Sequence, residues 1–327
     1  MIRLPGLRGD DPLGFLAALG LSSLAELGYL PELKLSWSTD GAVSAKITGV
    51  DSLDQLKTLL TNAFERIRSE GNPLPHGWPD FPPRKQGVKG SDPFRLPPEA
   101  MARYFTKAEQ AGSSGAEHWP GRWLIALSCQ LSRKPKGDLE LTPFYAPTGQ
   151  MTLRGSVLDA VASAVGGLGS PVDALIAWRR VRFDGANFDH RAIRDGAVAT
   201  NGTPLNQGAP SPTWLATMAL SMFPLVDLPG GSRAVGWQRA WLYPGYTTRS
   251  LIWPVWRHEL SAAAIRVLIA HEALELTNQV QNERTPPRLR SDRALPGLGV
   301  FAVFGASRRT LSQGDGPLGP AIQLWPP

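Results

Sequence analysis

The stretch LPGLRGDDPLGFLAALGLSSLAELG, residues 4–28, decides the N-terminal part of the fold. Asp11 suits an N-cap, because its carboxylate can accept hydrogen bonds from free amides of the first helical turn. Pro12 suits the first helical position, where no amide donor is lost. Apolar and small residues then recur with the helical period, at Leu13, Leu16, Ala17, Gly20, Leu21, Leu24 and Leu27. The stretch predicts a buried helix after a polar loop that carries Arg8. Its small residues would let another backbone approach closely: Gly14, Ala17, Ala18 and Gly20.

Two further elements are predicted directly after this helix. Segments 33–39 and 42–48 alternate between apolar and polar residues, and Asp40-Gly41 between them is typical of a tight hairpin turn. Segment 52–71 places its leucines on one helical face, so it predicts an amphipathic helix that ends at Gly71.

Proline and glycine interrupt the middle of the chain. Segment 72–98 contains eight prolines and three glycines, which predicts a long loop whose backbone groups need water or a partner. We place an N-terminal α+β domain at 1–150 and a helix-rich C-terminal domain at 151–327, with one compact unit as the alternative.

The remaining pattern predicts an α+β fold that is rich in helices, with short antiparallel hairpins and long Pro/Gly-rich ordered loops. Five apolar segments are predicted to be helical, and the last of them has the clearest pattern: 119–131, 155–166, 171–183, 212–223 and 259–283. Three segments rich in aromatic or β-branched residues are predicted to be strands: 234–243, 249–256 and 300–305.

Composition favours a polyanion or a polar protein surface as the partner. The net charge is +6, and 26 of the 34 basic residues are arginines, which form two-pronged contacts with phosphate. Arginine is also frequent in proteins from GC-rich genomes, and that alternative stays open. The single cysteine, Cys129, cannot form an internal disulfide. With no predicted membrane segment or signal peptide, we expect a cytoplasmic protein.

Basic side chains on loops and helix ends are the candidate nucleic-acid contacts. Arg179 and Arg182 would share one face at the end of the helix 171–183, although cations are also favoured at a helix C-terminus for electrostatic reasons. Segment 284–293 brings four arginines onto a proline-stiffened stretch. The full candidate set is Arg8, Arg84, Lys85, Lys89, Arg133, Lys134, Lys136, Arg179, Arg180, Arg182, Arg284, Arg288, Arg290 and Arg293.

A group of aromatic residues in the second half has two interpretations. Such side chains can stack on nucleobases, or they can belong to the core or a protein interface. The group consists of Trp237, Trp241, Tyr243, Tyr246, Trp253 and Trp256.

Catalytic motifs are not found in the sequence. It contains no phosphate-binding loop of the G-x-x-x-x-G-K-S/T type and no Gly-x-Ser-x-Gly elbow. The glycine-rich segment 165–170 joins two predicted helices and does not follow a strand, which argues against a dinucleotide site. We therefore assign no catalytic residue, metal or cofactor.

Two functions from other classes stay open. A metal-dependent nuclease would draw on Asp189-His190 and on His271 and Glu275, which share a face if segment 259–283 is one helix. The other alternative is a module that binds only proteins.

The segment GLRGDDPLGFLAALGL, residues 6–21, resembles the opening of type I-G (formerly I-U) CRISPR effector proteins. The related groups are large-subunit-like proteins and an accessory family described as an extension of the helicase-nuclease. The matching residues are Pro12, Leu13, Phe15, Leu16, Ala18, Leu19 and Gly20. Segments 142–155 and 212–225 are similar to two further stretches of that group, with Ala219 at a position where the group has glycine.

The resemblance implies a non-catalytic subunit or accessory protein of an antiviral effector complex. Its partners would be other CRISPR effector subunits and guide RNA or target DNA, with the phosphate backbone held electrostatically while base pairing reads the sequence. This chain is shorter than a full large subunit. The resemblance therefore leaves a reduced role, as a scaffold or as an adaptor that docks the helicase-nuclease.

Overall fold

The structure is a computed structural model. It describes residues 1–69, 102–103, 106, 110, 126–133, 139–145, 165–167, 169–183, 185–192, 206–228, 231–243, 246–277, 287–311 and 314–326. The predicted loop 72–98 lies outside these residues, as do six candidate contacts: Arg84, Lys85, Lys89, Lys134, Lys136 and Arg284.

The helix predicted for the N-terminal stretch is confirmed, but Arg8, predicted to lie in a loop, is the last residue of a strand, because it pairs with Ser44. β1 (Ile2–Arg8) leads into α1 (Pro12–Glu26) through a short loop. The Asp11 carboxylate caps α1 by accepting a hydrogen bond from the Gly14 amide at 3.0 Å. Every residue of α1 from Pro12 to Leu24 is buried, so the helix lies inside the molecule and has no polar outer face.

The predicted hairpin completes a three-stranded antiparallel sheet. β2 (Lys34–Trp37) pairs with β3 (Ser44–Thr48), and the strand order is β1-β3-β2. Gly41 in the turn has a φ of +75°, which glycine adopts without steric cost. The predicted amphipathic helix follows as α2 (Leu53–Ser69). Its buried face consists of Leu56, Leu60, Ala63, Phe64 and Ile67.

A five-stranded antiparallel sheet contains the aromatic segments of the second half. Its order is β10-β11-β12-β13, and β14 also pairs with β12. The strands are β10 (Trp237–Arg239), β11 (Tyr246–Trp256), β12 (Val300–Leu311), β13 (Gly314–Leu318) and β14 (Ile322–Trp325). All three segments predicted to contain strands therefore do so, as expected for residues that suit a pleated, half-buried surface.

Smaller elements connect these two sheets. Three two-stranded ladders pair β4 (Ser128–Arg133) with β5 (Leu139–Leu141), β6 (Val181–Arg182) with β7 (Gln207–Gly208), and β8 (Leu225–Leu228) with β9 (Gly231–Ala234). The remaining α-helices are α3 (Asp173–Ile176), α4 (Pro210–Met218) and α5 (Ala262–Ile269). Short 3-10 helices cover Gly185–Asn187, Ala219–Met222, Glu272–Leu274, Asp292–Ala294 and Pro296–Leu298. The described fold is mixed α+β.

The helix predicted at 212–223 is α4 together with the 3-10 turn after it, and it packs on α1. The closest approach is at Gly20, where a Cβ atom would meet the carbonyl carbon of Leu215 at 2.7 Å. The predicted close contact between α1 and a second backbone is thus confirmed, and α4 supplies that backbone.

Two predicted helices are partly wrong. In 119–131 the residues from Ser128 onward form strand β4, because an apolar run of this length does not distinguish a buried helix from a buried strand. In 171–183 the helix ends at Ile176, since Ala177 is extended with φ −151° and ψ 134°. Val181 beyond it pairs with Gly208.

The predicted long helix 259–283 is also wrong in its described part. α5 covers only Ala262–Ile269, and His271 is extended with φ −69° and ψ 136°. The chain then pairs with a later segment: the Thr277 amide donates to the Arg288 carbonyl at 2.8 Å, and the Arg290 amide donates to the Glu275 carbonyl at 2.6 Å. These long-range backbone bonds replace the helical bonds that the periodicity favours.

Residues on both sides of position 150 share one hydrophobic core. α1 packs on α4, and the β2 residue Leu35 forms a β-bridge with Leu260. The described part of 151–327 contains long strands as well as helices. Among the described residues, no helix is both long and apolar enough to span a membrane.

Arg308, a residue of β12, is fully buried and joins three segments of the chain. Its guanidinium donates to the carbonyls of Pro143, Phe144, Asn187 and Gly316 at 2.6–3.2 Å. Burial lowers the pKa of this guanidinium to about 9, so the group stays charged at neutral pH. The segments 142–145 and 185–187 are thereby held against the five-stranded sheet.

Candidate functional site

Charged side chains from three segments meet at the N-terminus of α1. We define the arginine–aspartate cluster as Asp11, Arg180, Asp189, His190 and Arg191. The two carboxylates are buried, with side-chain exposures of 12% for Asp11 and 0% for Asp189, whereas those of the two arginines are 21% and 39%. Buried carboxylates need charge partners, and the arginines supply them.

The loop that carries Asp11 is fixed on both sides. The Gly9 amide donates to the Val43 carbonyl at 2.8 Å, and the Gly9 carbonyl accepts from Trp253 Nε1 at 2.8 Å. Arg8 and Asp10 form an ion pair at the surface, with Arg8 Nε 2.8 Å from Asp10 Oδ1. The position of Asp11 is therefore set by the sheet and by a buried tryptophan.

Arg191 joins the two carboxylates. Its Nη2 lies 3.0 Å from Asp11 Oδ2, and its Nε lies 3.2 Å from Asp189 Oδ1. The guanidinium also lies over the Trp178 ring, 4.8 Å from the ring centroid. Asp189 Oδ1 accepts from the Arg191 amide at 3.0 Å, a local turn that orients both side chains.

Arg180 holds the other oxygen of Asp189. Its Nη2 lies 2.9 Å from Asp189 Oδ2, and its Nη1 donates to the Gln207 carbonyl at 2.9 Å. The charge of Arg180 is therefore already balanced inside the protein. Arg179 and Arg182, on either side of it, are exposed and form no ion pair with another described residue.

Burial is the largest cause of the pKa shifts of Asp11 and His190. It raises the pKa of Asp11, while Arg191 and the Gly14 amide act in the opposite direction. It lowers the pKa of His190, while the carboxylate of Asp11 acts in the opposite direction. Both shifts favour the uncharged form, as expected in a low-dielectric surrounding.

The His190 shift predicts a pH dependence of stability. The unfolded chain takes up a proton near the ordinary histidine pKa of 6.5, whereas the folded chain does so only at lower pH. As the pH falls from about 7 to about 5, the native protein should therefore lose stability relative to His190→Gln. Urea unfolding of both proteins at several pH values measures this difference. Stability curves that stay parallel over this range would contradict the prediction.

The predicted basic contacts fall into three groups. Arg8, Arg180 and Arg290 are engaged in ion pairs with Asp10, Asp189 and Glu275, respectively. Arg133 lies within β4, and six others lie outside the described residues. Four are exposed and form no ion pair with a described residue: Arg179, Arg182, Arg288 and Arg293. The shared helix face predicted for Arg179 and Arg182 is wrong, because both lie beyond the end of α3 in extended chain.

The candidate aromatic group belongs mainly to the core. Trp237, Trp253 and Trp256 are buried, and the indole of Trp256 donates to the Leu35 carbonyl at 2.8 Å. These three rings are not accessible for stacking on bases. Trp241, Tyr243 and Tyr246 are half-buried.

The residues considered for a metal site are used in other contacts. Both oxygens of Asp189 face arginines, and Glu275 pairs with Arg233 and Arg290. The Nδ1 atom of His271 accepts from the Ala273 amide at 3.1 Å. In the part of the chain that the structure describes, no group of three or more His, Cys, Asp or Glu side chains is arranged to hold a metal ion.

Sequence reasoning missed Arg191 and Trp178. It identified Asp11 only as a helix cap, and it considered Asp189 only as a metal ligand. The local signal was the Asp-x-Arg spacing of Asp189 and Arg191, which places both charges in one turn. No signal in the sequence joins this turn to Asp11, which lies far away along the chain.

Comparison with known proteins assigns no family to this arrangement. No protein-family model matches the chain. No curated protein matches it at a significant level.

Proposed function

We propose that this chain is a non-catalytic subunit or accessory protein of a type I-G CRISPR effector complex in the cytoplasm, where it contacts the nucleic-acid backbone, docks partner Cas proteins, or does both. The proposal starts from the resemblance of three sequence stretches to that group. The described residues of these three stretches pack against one another. Gly20 of the first stretch lies against Leu215 of the third stretch. The ring centroids of Phe144, in the second stretch, and Phe223, in the third, are 5.1 Å apart. The resemblance therefore concerns one packed unit.

The observation that carries the phosphate contact is the exposed pair Arg179 and Arg182 on a fixed segment. α3 before them packs on β1, where a Cβ atom at Gly6 would lie 2.9 Å from the Ile176 amide nitrogen. Arg180 between them is anchored to Asp189. Two free guanidinium groups held by an ordered backbone can bind phosphate with little further loss of backbone entropy.

Salt dependence tests the phosphate contact. In Arg179→Gln/Arg182→Gln we expect weaker binding to duplex DNA, and a slope of log K against log salt that is flatter by about 1.8, or about 0.9 per lost phosphate contact. Fluorescence anisotropy with labelled duplex DNA and with RNA across a salt series measures both quantities.

The matched control is Arg239→Gln/Arg257→Gln. Both of these arginines are exposed, and neither forms an ion pair with another described residue. The control removes the same amount of charge from surfaces away from Arg179 and Arg182. It should leave most of the slope of log K against log salt intact. An equal slope in the native protein and the Arg179/Arg182 variant would contradict the proposed contact. A flat response of the native protein on both nucleic acids would favour a module that binds only proteins.

The assignment to a CRISPR complex has an independent test. Genes for effector subunits and a repeat array next to this gene would support it, as would copurification of the full chain with those subunits. A conserved neighbourhood without any of these genes would contradict it.

A further inference from the structure

A second site lies between the β8–β9 ladder and the end of α5. It is a cavity of about 140 Å³, and its lining includes Val226, Arg233, Val235, Ile269, His271 and Glu275. This volume is close to that of a cavity that holds one benzene-sized ring. Its lining combines aliphatic side chains with the polar side chains of Arg233, Gln238, His271 and Glu275.

The charged side chains at the cavity carry excess positive charge. Glu275 accepts from Arg233 at 3.1 Å and from Arg290 at 3.0 Å, so one carboxylate faces two guanidinium groups. These three side chains together carry a net charge of +1.

His271 supplies a directed donor. Its Nδ1 accepts from the Ala273 amide at 3.1 Å, so in the neutral ring the proton is on Nε2. Gln238 is occupied by the backbone: its amide nitrogen donates to the Leu274 carbonyl at 2.7 Å, and its oxygen accepts from the Leu276 amide at 2.8 Å. His271 therefore offers one N–H donor at a cavity that is lined in part by aliphatic side chains.

We propose that this cavity binds a single unpaired nucleobase whose phosphate lies against Arg233 and Arg290. The volume of the cavity accommodates one planar ring, and the aliphatic side chains can pack against the faces of that ring. His271 can donate to an acceptor on its edge. The excess charge suits the attached phosphate. The proposal deepens the proposed function, on which it rests, by adding a base-binding site to a backbone contact.

Mononucleotides test the cavity directly. Adenosine and uridine monophosphate are titrated into the full chain, with ribose 5-phosphate as the matched ligand that lacks a base. The readout is the ring NMR signal of His271, which is identified by its loss in His271→Gln. Because the base buries apolar surface in the cavity, we expect at least one mononucleotide to shift this signal saturably and to bind at least about fivefold more tightly than ribose 5-phosphate. Equal affinity for ligands with and without a base, or no saturable shift, would overturn the proposal.

Two substitutions near the C-terminal end of α5 provide a structural test and its control. Ala270 lines the cavity and is exposed, so Ala270→Trp should fill the cavity and abolish the response to mononucleotides. Val267 is 69% exposed on α5 and is not part of the lining, so Val267→Trp should keep the response. An unchanged response in Ala270→Trp would overturn the proposal.

This test separates the two proposals. A mononucleotide response that persists while duplex and RNA binding show no salt dependence overturns the backbone contact and supports the cavity. Salt-dependent binding without a mononucleotide response at His271 overturns the cavity and supports the backbone contact.

Discussion

Replacing Arg308 with methionine is expected to lower the free energy of unfolding by about 3–5 kcal/mol. Methionine keeps much of the side-chain volume but removes every donor, so the carbonyls of Pro143, Phe144, Asn187 and Gly316 lose a charged partner inside the protein. A buried acceptor left without a donor costs about 1–3 kcal/mol, and the four acceptors are not independent. Urea unfolding followed by tryptophan fluorescence measures the change.

The neighbouring Arg309 provides the matched control. It is only half-buried and forms no ion pair with a described residue, so Arg309→Met should change stability by less than about 1 kcal/mol. Arg308→Lys keeps the charge but not the planar fork of donors. We expect it to lose less stability than Arg308→Met and more than Arg309→Met. A methionine variant at position 308 as stable as the one at 309 would show that the four carbonyls do not depend on Arg308.

The second large effect is expected at Gly20. Gly20→Ala should lower the free energy of unfolding by about 2–3 kcal/mol, because the new Cβ would overlap the Leu215 backbone in α4. Backbone cannot rotate aside as a flexible side chain can, so α1 and α4 must move apart. Thermal unfolding and urea unfolding both report the loss. In an unobstructed helix, a glycine-to-alanine substitution instead raises the free energy of unfolding by about 1 kcal/mol.

An alanine substitution at a second glycine, Gly167, provides the comparison. Gly167 lies in a helical turn, and a Cβ atom there would have open space around it. Gly167→Ala should therefore leave stability unchanged or raise it slightly. If the two alanine variants behave alike, the close contact between α1 and α4 does not limit stability.

The arginine–aspartate cluster changes how the positive charge of this protein is interpreted. A count of arginines treats all of them as available to a polyanion. Arg180 and Arg191 are instead bound to two buried carboxylates, so they stabilise the junction of the β1–α1 loop with segment 188–192. Neutralising Asp189 would remove the charge partner that Arg180 and Arg191 share. The nucleic-acid hypothesis therefore depends on the exposed arginines.

Local patterns predicted the first part of the fold well. The cap at Asp11, the turn at Asp40-Gly41 and the apolar face of α2 each depend on residues fewer than about five positions apart, which a linear sequence displays directly. The close approach of a second backbone to α1 could also be inferred, from the small residues of its sequence. Its partner, α4, could not.

The candidate site was predicted only in part. Arg179, Arg180 and Arg182 were singled out by charge, but the extended backbone that carries them was not foreseen. Val181 and Phe183 gain burial and backbone bonds by pairing with 206–208, and those bonds outweigh the helical tendency of the preceding residues. The same competition shortens the predicted helix 259–283 at Ile269.

By itself, the sequence determined the elements whose hydrogen bonds and apolar contacts are local: α1, the β2–β3 hairpin and α2. Only the tertiary structure decided that Arg191 would join Asp11 to Asp189 and that Arg308 would bind four carbonyls from distant segments. The physical reason is that an ion pair or a buried hydrogen bond depends on distance in space and on exclusion of water. Both are set by the packing of the whole chain.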